Sequence, residues 1–417
     1  MSEAEDKPAP LSPGGRAGAR PSRGGVDGGR AGARPSRGGV DGGRAGRAPY
    51  QGGRAGARPS PAWSILPDEW KPLLTARGLR AFRADQILQS LYRDWITDWD
   101  AATTLPKDFR ETLKAEFPLR VPEVLAQDRA EDGTTKLLLG LSDGNSVETV
   151  VIPAKGRFTQ CVSTQVGCAM GCVFCASGSK GLVRSLEADE IVAQVMTAQR
   201  LFASPENKRQ GSGLCLTNLV VMGMGEPFLN YDATLRALKL LNAGRGPNLG
   251  ARHITLSTCG VVPGFARLAA EGLQFELSVS LHAPNDELRS RLMPVNRRWP
   301  IDELLAACAD YTRATGRVIT FEYTLVKGVN DSRACAEELV RRLRRLPSCK
   351  VNLIPLSPVD HRPDLETPDE STQLAFLDVL MKSHIQTMLR RSRGKDVSAA
   401  CGQLRLRNIS PCPRTRD

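Results

Sequence analysis

The chain after residue 157 alternates between two hydrophobic periods. Short runs rich in Val, Ile, Leu and Phe have the length of buried strands, and longer runs with apolar residues three or four positions apart are typical of amphipathic helices. The strand-like runs are 158–162, 216–222, 253–257, 275–281, 318–325 and 351–354, and the helical runs include 187–202, 233–242, 301–314 and 334–346. This alternation predicts six βα units with a parallel sheet, in an open or closed α/β barrel over 158–389.

Four further regions complete the predicted organisation. They are a disordered Gly/Arg/Ala/Pro repeat tail over 1–62, a small helical domain over 63–120, a β linker over 121–157 and a basic C-terminal segment over 390–417. The helical domain is indicated by Ile87, Leu91 and Trp95 at helical spacing, a stripe interpreted as core rather than as a base-stacking platform. The linker contains two alternating stretches around Asp143-Gly144, which predict a strand pair.

The N-terminal tail is built from a repeat, because residues 14–27 recur without change at 28–41. Such a composition buries too little apolar surface to offset the entropy of ordering, which predicts disorder. The tail holds eleven basic and five acidic residues, so +6 of the formal net charge of +12 belongs to it. The basic charge is therefore weak evidence about the folded site. A tolerated repeat expansion and a loose arm attracted to RNA phosphates are both open interpretations.

Composition limits the class of protein. No apolar run approaches the about 18 residues of a membrane span, and the first ten residues, MSEAEDKPAP, lack the basic start and apolar stretch of a secretory signal. We therefore expect a cytoplasmic protein with no membrane association. In a reducing compartment the 11 cysteines do not indicate a disulfide framework, so clustered ones point to a metal site or to catalysis.

The strongest local signal is three thiols within eight residues, Cys168, Cys172 and Cys175, with Gly167 and Gly171 allowing the backbone to wrap closely. Thiolates at this density indicate a soft metal. An iron–sulfur cluster with three protein ligands would leave one iron open to a substrate or cofactor. A zinc site completed by a distant His is the alternative, although structural zinc sites usually use paired CxxC-type motifs and only one pair occurs here.

The spacing Cys-x-x-x-Cys-x-x-Cys after a first barrel strand resembles the radical S-adenosylmethionine superfamily. Five further stretches are together similar to the RlmN/Cfr family of ribosomal RNA adenine methyltransferases. They are VETVVIP at 147–153, QCVSTQVGC at 160–168, MGMGEP at 222–227, SLHAPND at 280–286 and AACGQL at 399–404. The resemblance covers everything except the repeat tail. It implies an α/β fold with a partial six-unit radical SAM barrel, one 4Fe-4S cluster and two S-adenosylmethionine molecules consumed per methylation.

The resemblance also implies a mechanism. Carbon 2 of adenine is electron-poor and cannot simply displace the methyl group of a sulfonium, so a radical route is needed. In this family one S-adenosylmethionine methylates a cysteine, and the cluster cleaves a second one to a 5′-deoxyadenosyl radical. That radical removes a hydrogen from the methylated cysteine, and the resulting methylene radical adds to the base. A second cysteine then resolves the protein–RNA bond as a disulfide.

The same resemblance implies site residues. Cys401 would carry the methyl group, Cys161 would resolve the adduct, and Glu148 would accept the proton lost from the modified carbon. Cys168, Cys172 and Cys175 would hold the cluster. The cofactor contacts would be Gly225, Glu226, Ser257, Ser280, Leu281, His282 and Asn352. Taken singly, Glu148 would be interpreted as a solvated strand residue and Cys259 as an idle thiol.

RNA is the expected partner, 23S ribosomal RNA first and transfer RNA second. The expected phosphate contacts are Arg297, Arg298, Arg341, Arg342, Arg344, Arg345, Arg390, Arg391 and Arg393. The target adenine must leave its stack to meet a cluster inside a barrel, so a single-stranded or loop position is expected. An external electron donor such as a flavodoxin-type reductant and a monomeric state are expected as well.

Methylation of carbon 2 is the favoured reaction. Methylation of carbon 8, or a different RNA target, is the alternative within the family, because the two activities share these residues. A zinc-stapled RNA-binding protein without catalysis, and a radical enzyme acting on a small molecule or a peptide, are the alternatives from other classes.

Overall fold

The computed structural model describes residues 60–205, 213–390 and 404–405. Within these ranges the strands are β1 (Glu123–Arg129), β2 (Thr135–Gly140), β3 (Ser146–Ala154), β4 (Arg157–Cys161), β5 (Gln165–Gly167), β6 (Leu182–Ser185), β7 (Asn218–Val221), β8 (Ile254–Thr258), β9 (Glu276–Ser280), β10 (Ile319–Leu325), β11 (Cys349–Pro355) and β12 (Gln386–Leu389). The α-helices are α1 (Trp70–Thr75), α2 (Arg83–Tyr92), α3 (Lys107–Glu116), α4 (Ala188–Phe202), α5 (Tyr231–Asn242), α6 (Pro263–Ala270), α7 (Asp286–Leu292), α8 (Ile301–Thr315), α9 (Arg333–Leu343) and α10 (Glu370–Lys382).

The main sheet contains ten of these strands, in the order β1-β2-β3-β4-β7-β8-β9-β10-β11-β12. The first four strands pair antiparallel, and every pair from β4 onward is parallel. Each parallel strand joins beside the preceding one, which is the arrangement of a barrel rather than of a doubly wound sheet, where the order reverses. In the described part of the chain β1 and β12 are sheet edges, so the barrel is partial.

The six predicted βα units are confirmed, because a helix follows each of β4, β7, β8, β9, β10 and β11. The predicted strand pair in the linker is also confirmed, as β2 and β3. Two strands were not predicted. β12 is four residues long and has no buried position, and β1 alternates between exposed and half-buried positions at the edge of the sheet. Neither strand carries the apolar run on which a prediction would rest.

The parallel strands have two chemically different faces. Leu219, Leu256, Leu277, Phe321 and Val351 are buried in the hydrophobic core together with helical side chains. The pairing register carries this apolar face from strand to strand, because paired residues project to the same side of a sheet. The residues between them project to the opposite face, which is therefore the face left for chemistry.

Helices α1 to α3 form a small region with an aromatic core. Trp70 packs edge-to-face against Phe117 with ring centroids 5.2 Å apart, and Trp99 Nε1 donates to the Phe117 carbonyl oxygen at 2.8 Å. Ile87 and Leu91 of α2 are fully buried in the same cluster. The interpretation as core is confirmed for Ile87 and Leu91, whereas Trp95 lies beyond the end of α2, has a φ of +54° and is half-buried against the core.

Parts of the predicted organisation lie outside the described residues. The repeat tail does so except for 60–62, where the Ser60 N–H donates to the Glu116 carbonyl oxygen at 3.0 Å. The basic C-terminal segment, including Cys401, does so except for Arg390, Leu404 and Arg405. Among the helices that are described, none has both the length and the apolar character needed to cross a membrane.

Candidate active site

The three clustered cysteines lie on the loop that follows β5, within the β5–β6 hairpin. Cys168 is buried, and Cys172 and Cys175 are half-buried. Gly167 has a φ of +79°, and a Cβ at this position would lie 2.0 Å from the Gly181 carbonyl oxygen, so only glycine permits the close return of the loop. The Cys168 N–H donates to that same oxygen at 3.0 Å. The loop is a compact turn that carries all three thiols.

The chemistry of this loop suits a metal cluster. Burial, followed by the nearby Cys172, Cys175 and Glu226, raises the pKa of the Cys168 thiol to about 12, so the thiol stays protonated at neutral pH unless a metal takes the thiolate. Among the described residues, no three His, Cys, Asp or Glu side chains converge on one point as ligands of a single ion. An iron–sulfur cluster is a larger body that binds thiolates at separate irons, and this donor set fits it.

A fourth thiol borders the cysteine loop. Cys259 follows β8, and its side chain hydrogen-bonds with that of Cys172; this contact and burial raise the pKa of the Cys259 thiol. The Cys259 N–H donates to Glu226 Oε2 at 2.7 Å, and its carbonyl oxygen accepts from Arg289 Nη2 at 2.7 Å. The interpretation of Cys259 as an idle thiol therefore overlooked its position, since nothing in the local sequence links it to the cysteine loop.

The loop after β7 carries Glu226, whose carboxylate is buried. It accepts hydrogen bonds from the Phe228 N–H at 3.0 Å, the Thr258 hydroxyl at 2.8 Å and the Cys259 N–H at 2.7 Å. Burial raises the pKa of Glu226, and these hydrogen bonds oppose the rise. The carboxylate thus joins the loops after β7 and β8, and it is already occupied by neutral protein donors.

Gly225 and Gly223 let this loop press against the segment between β4 and β5. Gly225 has a φ of +104°, and a Cβ there would lie 2.6 Å from Gln165 Cβ. A Cβ on Gly223 would lie 2.7 Å from Ser163 Oγ. The glycines therefore allow the loop after β7 to contact Ser163 and Gln165, which precede the cysteine motif along the chain.

His282 lies two residues after β9 with an unusual positive φ of 55°. Its Nδ1 accepts the Thr324 N–H at 2.9 Å, and its ring packs edge-to-face against Phe174 of the cysteine loop with centroids 4.8 Å apart. Burial, and then the charge of Arg289, lowers the pKa of His282 to about 3. The ring is therefore neutral at pH 7 with its proton on Nε2, which can donate one hydrogen bond to a ligand.

Glu322 on β10 is a buried carboxylate that sequence reasoning missed. Its backbone carbonyl oxygen accepts the Leu281 N–H at 3.0 Å, and its Oε1 accepts from Asn352 Nδ2 at 3.0 Å. Burial raises the pKa of Glu322, and the hydrogen bond from Asn352 opposes that rise. Glu322 therefore connects Leu281 with Asn352, two of the predicted cofactor contacts.

The strand register brings the other candidates to one face of the sheet. Ser257 pairs with Ser278, two residues before Ser280, and Ser280 pairs with Glu322, which pairs in turn with Asn352. Paired residues project to the same side, as do residues two apart on one strand. Ser257, Ser280, Glu322 and Asn352 therefore share the face opposite the hydrophobic core.

The same face continues into the antiparallel strands. Cys161 on β4 pairs with Val220 on one side and with Val150 on the other, and Val220 pairs with Thr255, two residues before Ser257. Glu148 lies two residues before Val150 and projects to the same side. Two of the predicted catalytic residues, Glu148 and Cys161, thus share one continuous face with the predicted cofactor contacts.

Glu148 is buried, not solvated, although a lone strand glutamate would be interpreted as exposed. Its Oε1 accepts the Arg405 N–H at 2.6 Å, and its Oε2 lies 3.5 Å from Lys136 Nζ. The Ser163 hydroxyl donates to the Glu148 carbonyl oxygen at 2.6 Å. Cys401 lies outside the described residues. Arg405, four positions later, is hydrogen-bonded through its backbone N–H to Glu148, the predicted base.

The predicted RNA contacts are mostly exposed. Arg297, Arg298, Arg341, Arg344, Arg345 and Arg390 are exposed, Arg342 is half-buried, and Arg391 and Arg393 lie outside the described residues. The arginine found at the site is a different one, Arg289, which is fully buried and donates to the carbonyl oxygens of Cys259 at 2.7 Å and Ser280 at 3.1 Å. Burial lowers the pKa of Arg289. A solvated arginine and a structural one look alike in a single sequence.

Comparison with known proteins agrees with the fold and the cysteine loop. The model of the radical SAM superfamily matches residues 162–343. The crystal structure of a radical SAM methyltransferase from Sphaerobacter thermophilus is 48% identical, covers 83% of this chain and 99% of that one, and has a TM-score of 0.78. The protein is a radical S-adenosylmethionine enzyme, and its cofactors are a 4Fe-4S cluster and S-adenosylmethionine.

Two curated relatives place the chain in one family within this superfamily. A probable dual-specificity RNA methyltransferase RlmN of Geobacillus kaustophilus is 45% identical over 343 residues, which are 82% of this chain and 92% of that protein. The dual-specificity RNA methyltransferase RlmN of Sorangium cellulosum is 45% identical over 384 residues, with 83% of this chain and 95% of that protein covered. The chain belongs to the RlmN family of radical SAM RNA methyltransferases, so the family resemblance is confirmed.

Proposed function

We propose that the protein methylates carbon 2 of an adenine in 23S ribosomal RNA and in transfer RNA. The observation that carries this proposal is the shared sheet face, on which Glu148 and Cys161 lie with Ser280 and Asn352. The methyl-carrying cysteine, the resolving cysteine and the base must all act around one modified carbon atom, and a common face supports that requirement. The relatives' description as dual-specificity RNA methyltransferases supports two RNA classes as substrates.

The cluster would be held by Cys168, Cys172 and Cys175 on the β5–β6 loop. When bound, the cluster and S-adenosylmethionine supply the methyl group and the radical chemistry that an electron-poor aromatic carbon requires. The residues that would contact S-adenosylmethionine are Gly225, Glu226, Ser257, Ser280, Leu281, His282 and Asn352. Neutral His282 would donate through Nε2. The Glu226 carboxylate would order the loop, because its oxygens already accept from Phe228, Thr258 and Cys259.

The protein's own residues would perform the remaining steps. Cys401 carries the methyl group to the base, and the four positions that separate it from Arg405 span at most about 14 Å. Cys161, buried on β4, supplies the thiol that releases the product by forming a disulfide with Cys401. Glu148 takes the proton from the modified carbon through a carboxylate that is buried, away from bulk water.

The proposal extends to the partners and the setting of the reaction. The exposed arginines would neutralise RNA phosphates, and the target adenine would leave its stack to enter the site. An external flavodoxin-type donor would supply electrons to a monomeric, cytoplasmic protein. The division into a helical domain over 63–120, a β linker over 121–157, a barrel over 158–389 and a C-terminal segment over 390–417 belongs to the same proposal.

The test uses protein reconstituted with iron and sulfide without oxygen. It is given reductant, methyl-deuterated S-adenosylmethionine and either 23S fragments or transfer RNAs, and the digested nucleosides are examined by mass spectrometry. We expect 2-methyladenosine with two deuteriums, because one hydrogen of the transferred methyl group is removed and later replaced. Cys401→Ala should abolish labelling, whereas Cys412→Ala, a matched change in the same segment, should retain it.

Other results would replace the proposal. Labelled 8-methyladenosine would keep the mechanism and change the carbon that is modified. Formation of 5′-deoxyadenosine without any labelled RNA would remove the RNA substrates. Bound zinc without labile sulfide in the protein as isolated would support a structural metal site and contradict the radical mechanism.

A further inference from the structure

We propose that Lys136 is a positioning residue for Glu148: its ammonium group holds the carboxylate in the direction of the proton that the base must remove. The inference rests on the proposed role of Glu148 and goes beyond it, because it names the residue that prepares the base. Lys136 lies on β2 with 1% of its side chain exposed, and its Nζ is 3.5 Å from Glu148 Oε2, itself on a side chain that is 2% exposed.

The position of Lys136 follows from the register of β2 and β3. Lys136 pairs with Val150, and Glu148 pairs with Leu138. Since residues two apart on one strand share a face, Lys136 and Glu148 are diagonal neighbours on the face that also carries Cys161. The adjacent β2 residues Leu137 and Leu139 project to the opposite side and are buried in the core.

A lysine at this place is unusual for the strand that holds it. The six residues of β2 read TKLLLG, and the first five are buried. A buried lysine is rare unless an anion accompanies it, because an isolated ammonium group in a low-dielectric environment is strongly disfavoured. A strand built only for packing would be expected to carry an apolar residue here, so the charge at position 136 indicates a role connected with Glu148.

Two elements place a charged residue against Glu148. β2 supplies Lys136, and the C-terminal segment supplies Arg405, whose N–H donates to Glu148 Oε1 at 2.6 Å. Lys136 differs from Arg405 because it stands on a strand of the main sheet, whereas Arg405 belongs to the segment that carries the methylated cysteine. The pairing of β2 with β3 therefore holds Lys136 beside Glu148 independently of the C-terminal segment.

The consequence for the reaction concerns one step. The C–H bond at the modified carbon breaks, its electron pair stays with the adduct, and the proton moves to a Glu148 carboxylate oxygen. The unpaired electron that the methylene radical brought would leave the ring to a one-electron acceptor, and the oxidised iron–sulfur cluster would be such an acceptor. Without Lys136, Glu148 Oε2 loses the partner that lies 3.5 Å from it, and the carboxylate is no longer fixed in the direction of the proton. Methylation of Cys401 and cleavage of S-adenosylmethionine precede this step and do not need the base, so removal of Lys136 should stop turnover after the protein–RNA bond has formed.

The experiment compares reconstituted full-length Lys136→Met, Lys136→Arg, Glu148→Gln and a control, Lys350→Met, which removes an exposed strand lysine of the same sheet. Iron content and thermal unfolding are measured for each.

We expect Lys136→Met to form 5′-deoxyadenosine and methylated Cys401 at the normal rate, to lose about 100-fold or more of RNA product at pH 7, and to accumulate protein–RNA adduct. Lys136→Arg should retain much of the activity, and Lys350→Met all of it.

The outcomes separate this inference from the function on which it rests. If Glu148→Gln stalls at the adduct while Lys136→Met turns over within about threefold of the parent, Lys136 has no such role and the base assignment survives. If Lys136→Met loses iron or S-adenosylmethionine cleavage as well as product, or if Lys136→Arg fails as completely as Lys136→Met, the role of Lys136 is structural and the inference is wrong. If Glu148→Gln turns over normally, the base assignment itself fails.

Discussion

The antiparallel and the parallel parts of the main sheet accommodate buried carboxylates by different means. In the parallel part, Glu226 and Glu322 are met by neutral donors, and burial raises the pKa of both. In the antiparallel part, Glu148 faces an ammonium group at 3.5 Å. These three glutamates lie on strands or strand ends of one sheet, but their side chains have chemically different partners. Burial disfavours the charged form of the first two, which hold loops or amides, whereas the third lies beside a cation.

The same substitution should have opposite consequences in the two parts. Glu148→Gln leaves Lys136 buried without its anion and should lower the free energy of unfolding by about 3 kcal/mol. Glu322→Gln keeps an acceptor for Asn352 and removes an acid whose charged form is disfavoured by burial, so its effect should be within about 1 kcal/mol and of stabilising sign at pH 7. Urea unfolding without oxygen checks both, and a shift of equal size and sign in the two variants would contradict the distinction.

Backbone packing should differ between the two parts as well. Gly225→Ala places a Cβ 2.6 Å from Gln165 Cβ at a φ of +104° and should cost about 2 to 3 kcal/mol. Gly144→Ala, in the β2–β3 turn, has a φ of +80° but nothing within 4 Å, so it should cost about 1 kcal/mol for the backbone conformation alone. Equal losses in thermal unfolding would mean that the loop after β7 is not tightly packed.

The neutral character of the parallel part should appear in the dependence of stability on pH. The pKa of His282 is lowered to about 3 from an ordinary 6.5, so the unfolded chain binds more protons between these values. The stabilisation from neutral His282 is present above pH 6.5 and is lost progressively below it, by about 1 kcal/mol at pH 5.5. Unfolding of the parent and of His282→Gln from pH 7.5 to 5.0 measures the difference, which should narrow toward acid. A constant difference would show that His282 is exposed to protons when folded.

The smallest effect tests whether burial, and not charge alone, distinguishes the Lys136 pair. Arg184 holds the pKa of Asp143 well below its usual range, but both side chains are about one-third exposed. Asp143→Asn should therefore cost less than about 1 kcal/mol, and the loss should vanish in 1 M salt because exposed charges are screened. A large, salt-independent loss would place this exposed pair in the same category as Lys136 and Glu148.

Sequence patterns predicted those parts of the molecule that depend on local periodicity. The runs at 253–257 and 275–281 predicted two strands of a parallel sheet, and the structure confirms them as β8 and β9. The cysteine motif and the family resemblance supplied the cofactors. These features are encoded within a few neighbouring residues.

Residues whose importance comes from distant partners were missed. Lys136 is one polar residue in an otherwise apolar strand, and only the pairing of β2 with β3 shows that it meets Glu148. Cys259 and Glu322 were missed because their partners, Cys172 and Asn352, are 87 and 30 residues away. Glu226 was identified, but the inward direction of its carboxylate depends on the loop after β8. Such contacts have no signature in a single sequence.

The hydrogen bond between Glu148 and Arg405 joins residues 257 positions apart, whereas each parallel strand of the sheet pairs with the one made just before it. During synthesis on the ribosome, the sheet can therefore assemble progressively from its N-terminal side as each unit emerges. The link to Arg405 closes a far longer loop and forms only when nearly the whole chain has been released. A nascent chain would thus hold Glu148 and the cysteine loop well before it acquires the segment that contains Cys401, the proposed methyl carrier, so the proposed reactive assembly is completed last.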